Sequence, residues 1–80
     1  MKTAIINLKG FLFEGEAKLL NVQTLSGEIT ILPGHQPLIS VLAPQARLYL
    51  EEKDGKRQEF RLAGGFLHLN GHHQLTVLAD

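Results

Sequence analysis

The chain has no cysteine, no tryptophan and a single tyrosine among its 80 residues. Without thiols there is neither a disulfide framework nor a thiolate metal site, which fits a reducing compartment. So few large aromatics argue against a free-standing sandwich that binds carbohydrate or peptide. An excess of charge is missing as well. Eight basic residues balance eight acidic ones, so no net field favours nucleic acid or an anionic membrane surface. No apolar run approaches the roughly 18 residues that a transmembrane helix needs, so direct membrane insertion is not expected. The apolar part of Met1–Ile6 is too short for a secretory signal and reads as a first strand.

Catalytic motifs are absent too. Serine occurs only at positions 26 and 40, with no G-x-S-x-G elbow and no partner set for a nucleophilic triad. Neither a phosphate-cradling G-x-x-x-x-G-K-[ST] nor a G-x-G-x-x-G is present. No sustained 3.6-residue period, internal repeat, linker or low-complexity segment occurs. Eighty residues make one domain, expected to span 1–80. A domain of this size buries only about 60% of the surface its unfolded chain exposes, so a partner would help its stability.

What is present is dense turn chemistry. The stretch Ser26–Leu38 reads S-G-E-I-T-I-L-P-G-H-Q-P-L. It opens on Ser26-Gly27, runs as a β-type segment through Ile29, Thr30 and Ile31, and stops at Pro33-Gly34. Ala46, Leu48 and Leu50 alternate with Arg47 and Tyr49, giving a half-buried strand. Asp54-Gly55 and Asn70-Gly71 signal two hairpins. Between and after them, strands are expected over Gln58–Ala63 with Phe60 and Leu62 inward, over Phe66–Leu69, and over Gln74–Ala79. Earlier, Phe11–Phe13 reads as a brief segment closed by Glu14-Gly15. Over Glu16–Thr24, Lys18, Leu20, Val22 and Thr24 share the expected inner face. The pattern is roughly eight to ten short strands with regular turns, hence an all-β antiparallel sandwich.

Several residues invite a functional reading. His68, His72 and His73 cluster around Asn70-Gly71, yet adjacent strand residues point to opposite faces and no carboxylate completes a ligand set, so no metal is expected. A small metal-dependent jelly-roll enzyme using these histidines or His35 is the competing function. His35, directly behind Pro33-Gly34, either holds the loop through backbone hydrogen bonds or faces a partner. Glu28 is either a solvated strand-start charge or a contact at the tip of the domain. Gly64-Gly65 permits a close backbone approach, within the fold or by a partner chain, and Phe66 after it reads as core. Glu51-Glu52 reads as a solvated turn. Lys53, Lys56, Arg57 and Arg61 are interleaved with acids and lack stacking aromatics, which speaks against nucleic-acid binding. The residues alone point to a non-catalytic module that contacts other proteins.

Three of these segments share a wider pattern. G-E-x-x-I-L-P-G-H-x-P-L at 27–38, Gly64-Gly65 after an apolar strand, and a terminal V-L-A-D at 77–80 resemble the N-terminal β-sandwich domain of F-type ATP synthase epsilon subunits. Phe13-Glu14-Gly15-Glu16-Ala17 is similar to the family's early F-x-G-E-V segment. The resemblance implies a ten-stranded sandwich and a non-catalytic rotor subunit of a complex that couples proton or sodium flow to ATP synthesis or hydrolysis. It implies the gamma subunit on one side and the loops of the membrane c-ring on the other, with alpha and beta as indirect partners and no cofactor. It implies a peripheral position on the cytoplasmic face of a bacterial inner membrane. By position in the motif, Glu28, Pro33, Gly34 and His35 correspond to the region that faces the c-ring. The family commonly has glycine where Thr30 stands and Pro-Gly where Pro44-Gln45 stands. Its members usually continue into two C-terminal helices, and the sequence contains none of that region, so no regulatory or nucleotide-binding role is read from it.

Overall fold

The computed structural model describes residues 1–80 and holds eight strands and no helix. They are β1 (Lys2–Asn7), β2 (Gly10–Thr24), β3 (Gly27–Ile31), β4 (Leu38–Val41), β5 (Ala46–Glu52), β6 (Arg57–Leu62), β7 (Gly65–Leu69) and β8 (Gln74–Ala79). Eight is the lower end of the expected range. Fewer strands form partly because Phe11–Phe13 and Glu16–Thr24 run together as β2, a single strand of 15 residues. Gly15 does not break it: it pairs with Thr3 in extended backbone, between Glu14 opposite Ala4 and Glu16 opposite Lys2.

The strands follow one path, β4-β7-β8-β1-β2-β5-β6, with β3 added to β2. The path curls into two layers. Residues Gly10–Glu16 of β2 pair with β1 in the first sheet, and its later residues pair with β3 and β5 in the second. A straight strand of this length would reach about 50 Å at ~3.3 Å per residue. The whole molecule extends only 28 Å, so β2 must bend. The bend sits at a register shift between Ala17 and Leu19, where one extra residue enters the strand. This corrects the expected face of Lys18. The inserted residue reverses the alternation there, so Ala17 is buried and Lys18 exposed, while Leu20, Val22 and Thr24 point inward as expected.

One pairing is not antiparallel. β1 lies parallel to β8, from Lys2 opposite Gln74 to Ile6 opposite Leu78. A hairpin cannot join parallel neighbours, and here the whole intervening chain makes the connection. The inner faces of both layers form one core: Ile5, Phe13, Leu67, Leu69, Leu75 and Val77 from the first, and Leu20, Val22, Ile31, Leu48, Leu50 and Leu62 from the second. Ala17, Leu42 and Ala46 complete it. Removing each Leu, Ile or Val side chain from water contributes about 1.5–3 kcal/mol, and this term must offset chain entropy in a small domain. Buried polar groups are satisfied: Asn21 Nδ2 donates to Thr30 Oγ1 at 2.8 Å, and Thr3 Oγ1 donates to the Met1 carbonyl at 3.1 Å.

Candidate interaction surfaces

The stretch from residue 26 to 38 is built as two turns joined by a strand. At the first turn, Thr24 Oγ1 donates to the Gly27 carbonyl at 2.7 Å and accepts from the Ser26 N–H at 3.2 Å. Glu28 follows, exposed and paired with Gln23 at the start of β3. At the second turn, the His35 N–H donates to the Leu32 carbonyl at 3.1 Å. Pro33 presets the first corner, and Gly34 with φ +89° takes the second, as a type II turn requires. His35 Nδ1 lies 2.7 Å from the Gln36 carbonyl, to which it donates in the Nδ1–H tautomer. The imidazole therefore braces its own loop while remaining exposed.

The two turns lie at opposite ends of β3. Pro33 lies five positions after Glu28, about 16 Å along extended chain, so the candidates do not converge on a point. They do share an edge: β3 pairs only with β2, leaving its other side open.

The histidines do not converge either. His68 sits on the outer face of the first sheet between Ile39 and Thr76. His72 and His73 belong to the β7–β8 turn, where Asn70 Oδ1 accepts from the N–H groups of His72 at 2.8 Å and Gln74 at 3.1 Å. No group of three His, Asp or Glu side chains stands close enough to hold a metal ion. The glycine pair has an internal explanation. Gly65 is opposite Ala79. A Cβ on it would overlap the Leu78 carbonyl oxygen and stand 2.9 Å from the Ala79 Cα. The backbone that approaches is the chain's own β8.

Phe66 corrects another expectation. It is 55% exposed and points outward, because Leu67 and Leu69 occupy the inner face of β7. It is one member of a row that sequence reading does not reveal. Across the outer face of the first sheet, Val41 pairs with Phe66, Phe66 with Leu78, Leu78 with Ile6, and Ile6 with Phe11. Five strands thus present an unbroken apolar line, with Ile39 close by and 73% exposed. Such a line is unusual for a surface that faces only water. The same face turns polar along the strands, where a groove of about 420 Å³ is lined by Lys2, Glu14, Glu16, Gln74 and Thr76 around Ala4.

The family model for the ATP synthase delta/epsilon chain, beta-sandwich domain, matches residues 1–80. An ATP synthase epsilon chain from Corynebacterium aurimucosum is 33% identical over 76 residues, covering 95% of this chain and 62% of the relative. The epsilon chain of Corynebacterium diphtheriae is 32% identical over the same length and is covered to 61%. The chain thus spans about three-fifths of these relatives. Among solved structures, it superposes with a TM-score of 0.90 and 25% identity on a chain in the OSCP/F1/c-ring assembly of the Euglena gracilis mitochondrial ATP synthase, covering 99% of this chain and 49% of the other. A chain of the Tetrahymena thermophila mitochondrial ATP synthase central stalk and c-ring shares the fold, with a TM-score of 0.80 at 15% identity, covering 99% of this chain and 62% of that one.

Proposed function

The chain belongs to the family of ATP synthase delta and epsilon chains, and from that premise we propose that it is a non-catalytic central-stalk subunit bridging the gamma subunit and the membrane c-ring. In this role it makes and breaks no bonds. It transmits torque between ion flow through the ring and ATP synthesis or hydrolysis in the alpha and beta subunits. The place that follows is peripheral, on the cytoplasmic face of a bacterial inner membrane, with protons or sodium as the coupling ion.

The observation that carries the reading is the apolar line Val41–Phe66–Leu78–Ile6–Phe11 across the outer face of the first sheet. A five-strand apolar surface fits a permanent protein neighbour, and we assign it to gamma. Burial of that line also supplies stability that a domain of this size has difficulty generating alone. The ring contact then falls on the open edge of β3, from Glu28 to the Pro33-Gly34-His35 loop. Two turns fixed by their own hydrogen bonds suit a contact that must bear load without yielding. Gly64 and Gly65 serve the internal β7–β8 approach in this reading.

Two measurements test it. The tagged chain, expressed in its own cells and purified from gently solubilised membranes, is expected to bring down gamma, alpha, beta and c subunits; recovery of the chain alone overturns the assignment. Glu28→Lys is expected to leave the fold intact and weaken coupling, read as proton pumping in membrane vesicles. Wild-type pumping by that variant removes the ring contact at Glu28.

A further inference from the structure

The outer face of the second sheet carries a pairing that its own stability does not explain. Arg47 of β5 and Arg61 of β6 are directly opposed and exposed. Opposed residues on antiparallel strands stand about 5 Å apart at Cβ, and like charges there destabilise the sheet. Neither guanidinium forms an ion pair, although Glu59 stands two residues from Arg61 on the same face of β6. The two ion pairs of the molecule are the Met1 amine with Glu16 and Lys18 with Glu51. The third arginine is accounted for differently, since the Arg57 guanidinium stacks 3.8 Å from the centre of the Tyr49 ring.

Both residues of the opposed pair are anchored. Arg61 Nη1 donates to the Gln45 carbonyl at 3.2 Å, and the Arg47 N–H donates to Gln23 Oε1 at 2.9 Å. A guanidinium has five N–H donors, so most remain open on Arg61, and no intramolecular bond occupies the side chain of Arg47. Gln23 is also the partner of Glu28. The row across this face therefore reads Glu28, Gln23, Arg47, Arg61, with the two bases about 10 and 14 Å from the acid at the usual strand spacing.

We propose that Arg47 and Arg61 form a carboxylate-binding pair that takes an acidic side chain from the same c-ring loops that Glu28 meets; the inference rests on the ring contact proposed above. Two guanidinium forks side by side match the planar, two-oxygen geometry of a carboxylate. Binding an anion between them removes the repulsion that the free chain carries. The partner surface must then offer a base opposite Glu28 and an acid two to three strand spacings away, and this order sets the register of the contact.

The test uses the chain assembled with gamma and a purified c-ring in neutral detergent. Arg47→Thr deletes one guanidinium and no intramolecular side-chain bond. It is expected to raise the melting temperature of the chain slightly, weaken ring binding roughly tenfold, and reduce the salt dependence of binding. Arg47→Lys keeps the charge and is expected to restore part of the affinity. A lowered melting temperature for Arg47→Thr marks the residue as structural and overturns the proposal. Unchanged ring binding by Arg47→Thr alongside weakened binding by Glu28→Lys also overturns it, leaving the ring contact standing. Unchanged binding by both removes the ring contact and the arginine pair together. Binding of the chain to vesicles of anionic lipid, lost in Arg47→Thr, identifies headgroup phosphate as the ligand and overturns the carboxylate.

Discussion

His73 shows how much one backbone angle decides. In both three-residue hairpins the last loop residue is left-handed: Gly55 at φ +93° in one, His73 at φ +58° in the other. The closing bonds, Glu52 N–H to the Lys56 carbonyl at 2.7 Å and Asn70 N–H to the Gln74 carbonyl at 3.0 Å, enclose three-residue loops. A three-residue loop wants glycine at its last position. Asn70-Gly71 places its glycine two residues too early for that, and Gly71 takes no positive φ. His73→Gly is therefore expected to stabilise the chain by about 0.5 kcal/mol, because relief of the left-handed strain exceeds the added entropy of the unfolded chain. Thermal unfolding should rise by about 2–4 °C. A fall shows that the imidazole itself holds the turn.

At the level of the element, β7 and β8 meet more closely than side chains allow, and Gly65 is the residue that permits it. Gly65→Ala combines φ +131° with overlap on the Leu78 carbonyl, and backbone on both sides leaves nothing flexible to move. The expected cost is about 3 kcal/mol or more. Gly71→Ala is the control: no heavy atom lies within 4 Å of its added Cβ, so stability should stay within about 0.5 kcal/mol. Chemical denaturation of both variants separates the two glycines. Equal effects show that β8 can shift to make room. The edges follow a related logic. β4 is only four residues long and is bracketed by Pro37 and Pro44, while β6 alternates Arg57, Glu59 and Arg61 outward. Both devices discourage pairing with stray strands.

The whole molecule has two unlike faces. Its first sheet is apolar outside along five strands, and its second is polar, carrying Glu28, Arg47, Glu59 and Arg61. In the proposed bridging role one face is held permanently and the other bears load, and this asymmetry would serve both. Phe66→Lys with Leu78→Lys removes the middle of the apolar line. Because both side chains are about half exposed, at 55% and 52%, the isolated chain should change by no more than about 1 kcal/mol. Retention of gamma in pull-downs should fall sharply. Full retention places gamma elsewhere on the domain.

Much of the architecture is written locally. Side chains on a strand alternate with period two, so Ala46, Leu48 and Leu50 announce their inner face without knowing their neighbours. The Leu32–His35 turn is equally local, since proline and glycine carry their backbone preferences with them. The alternation fails at Ala17–Leu19, because a bulge inserts one residue without altering composition. Phe66 departs from its expected place for a different reason. An aromatic beside two glycines looks like core, yet it shares its face with polar His68, and Leu67 and Leu69 take the inner one. The separation of Glu28 from Pro33 follows from strand length once β3 is known to be extended. The candidate surfaces are the least legible. Ile6, Phe11, Val41, Phe66 and Leu78 become one line, and Arg47 and Arg61 one pair, only through strand register. Register is set by hydrogen bonds between segments far apart in the chain. The amino-acid order therefore determines strands and turns, while tertiary pairing alone decides which of their outward residues become a surface.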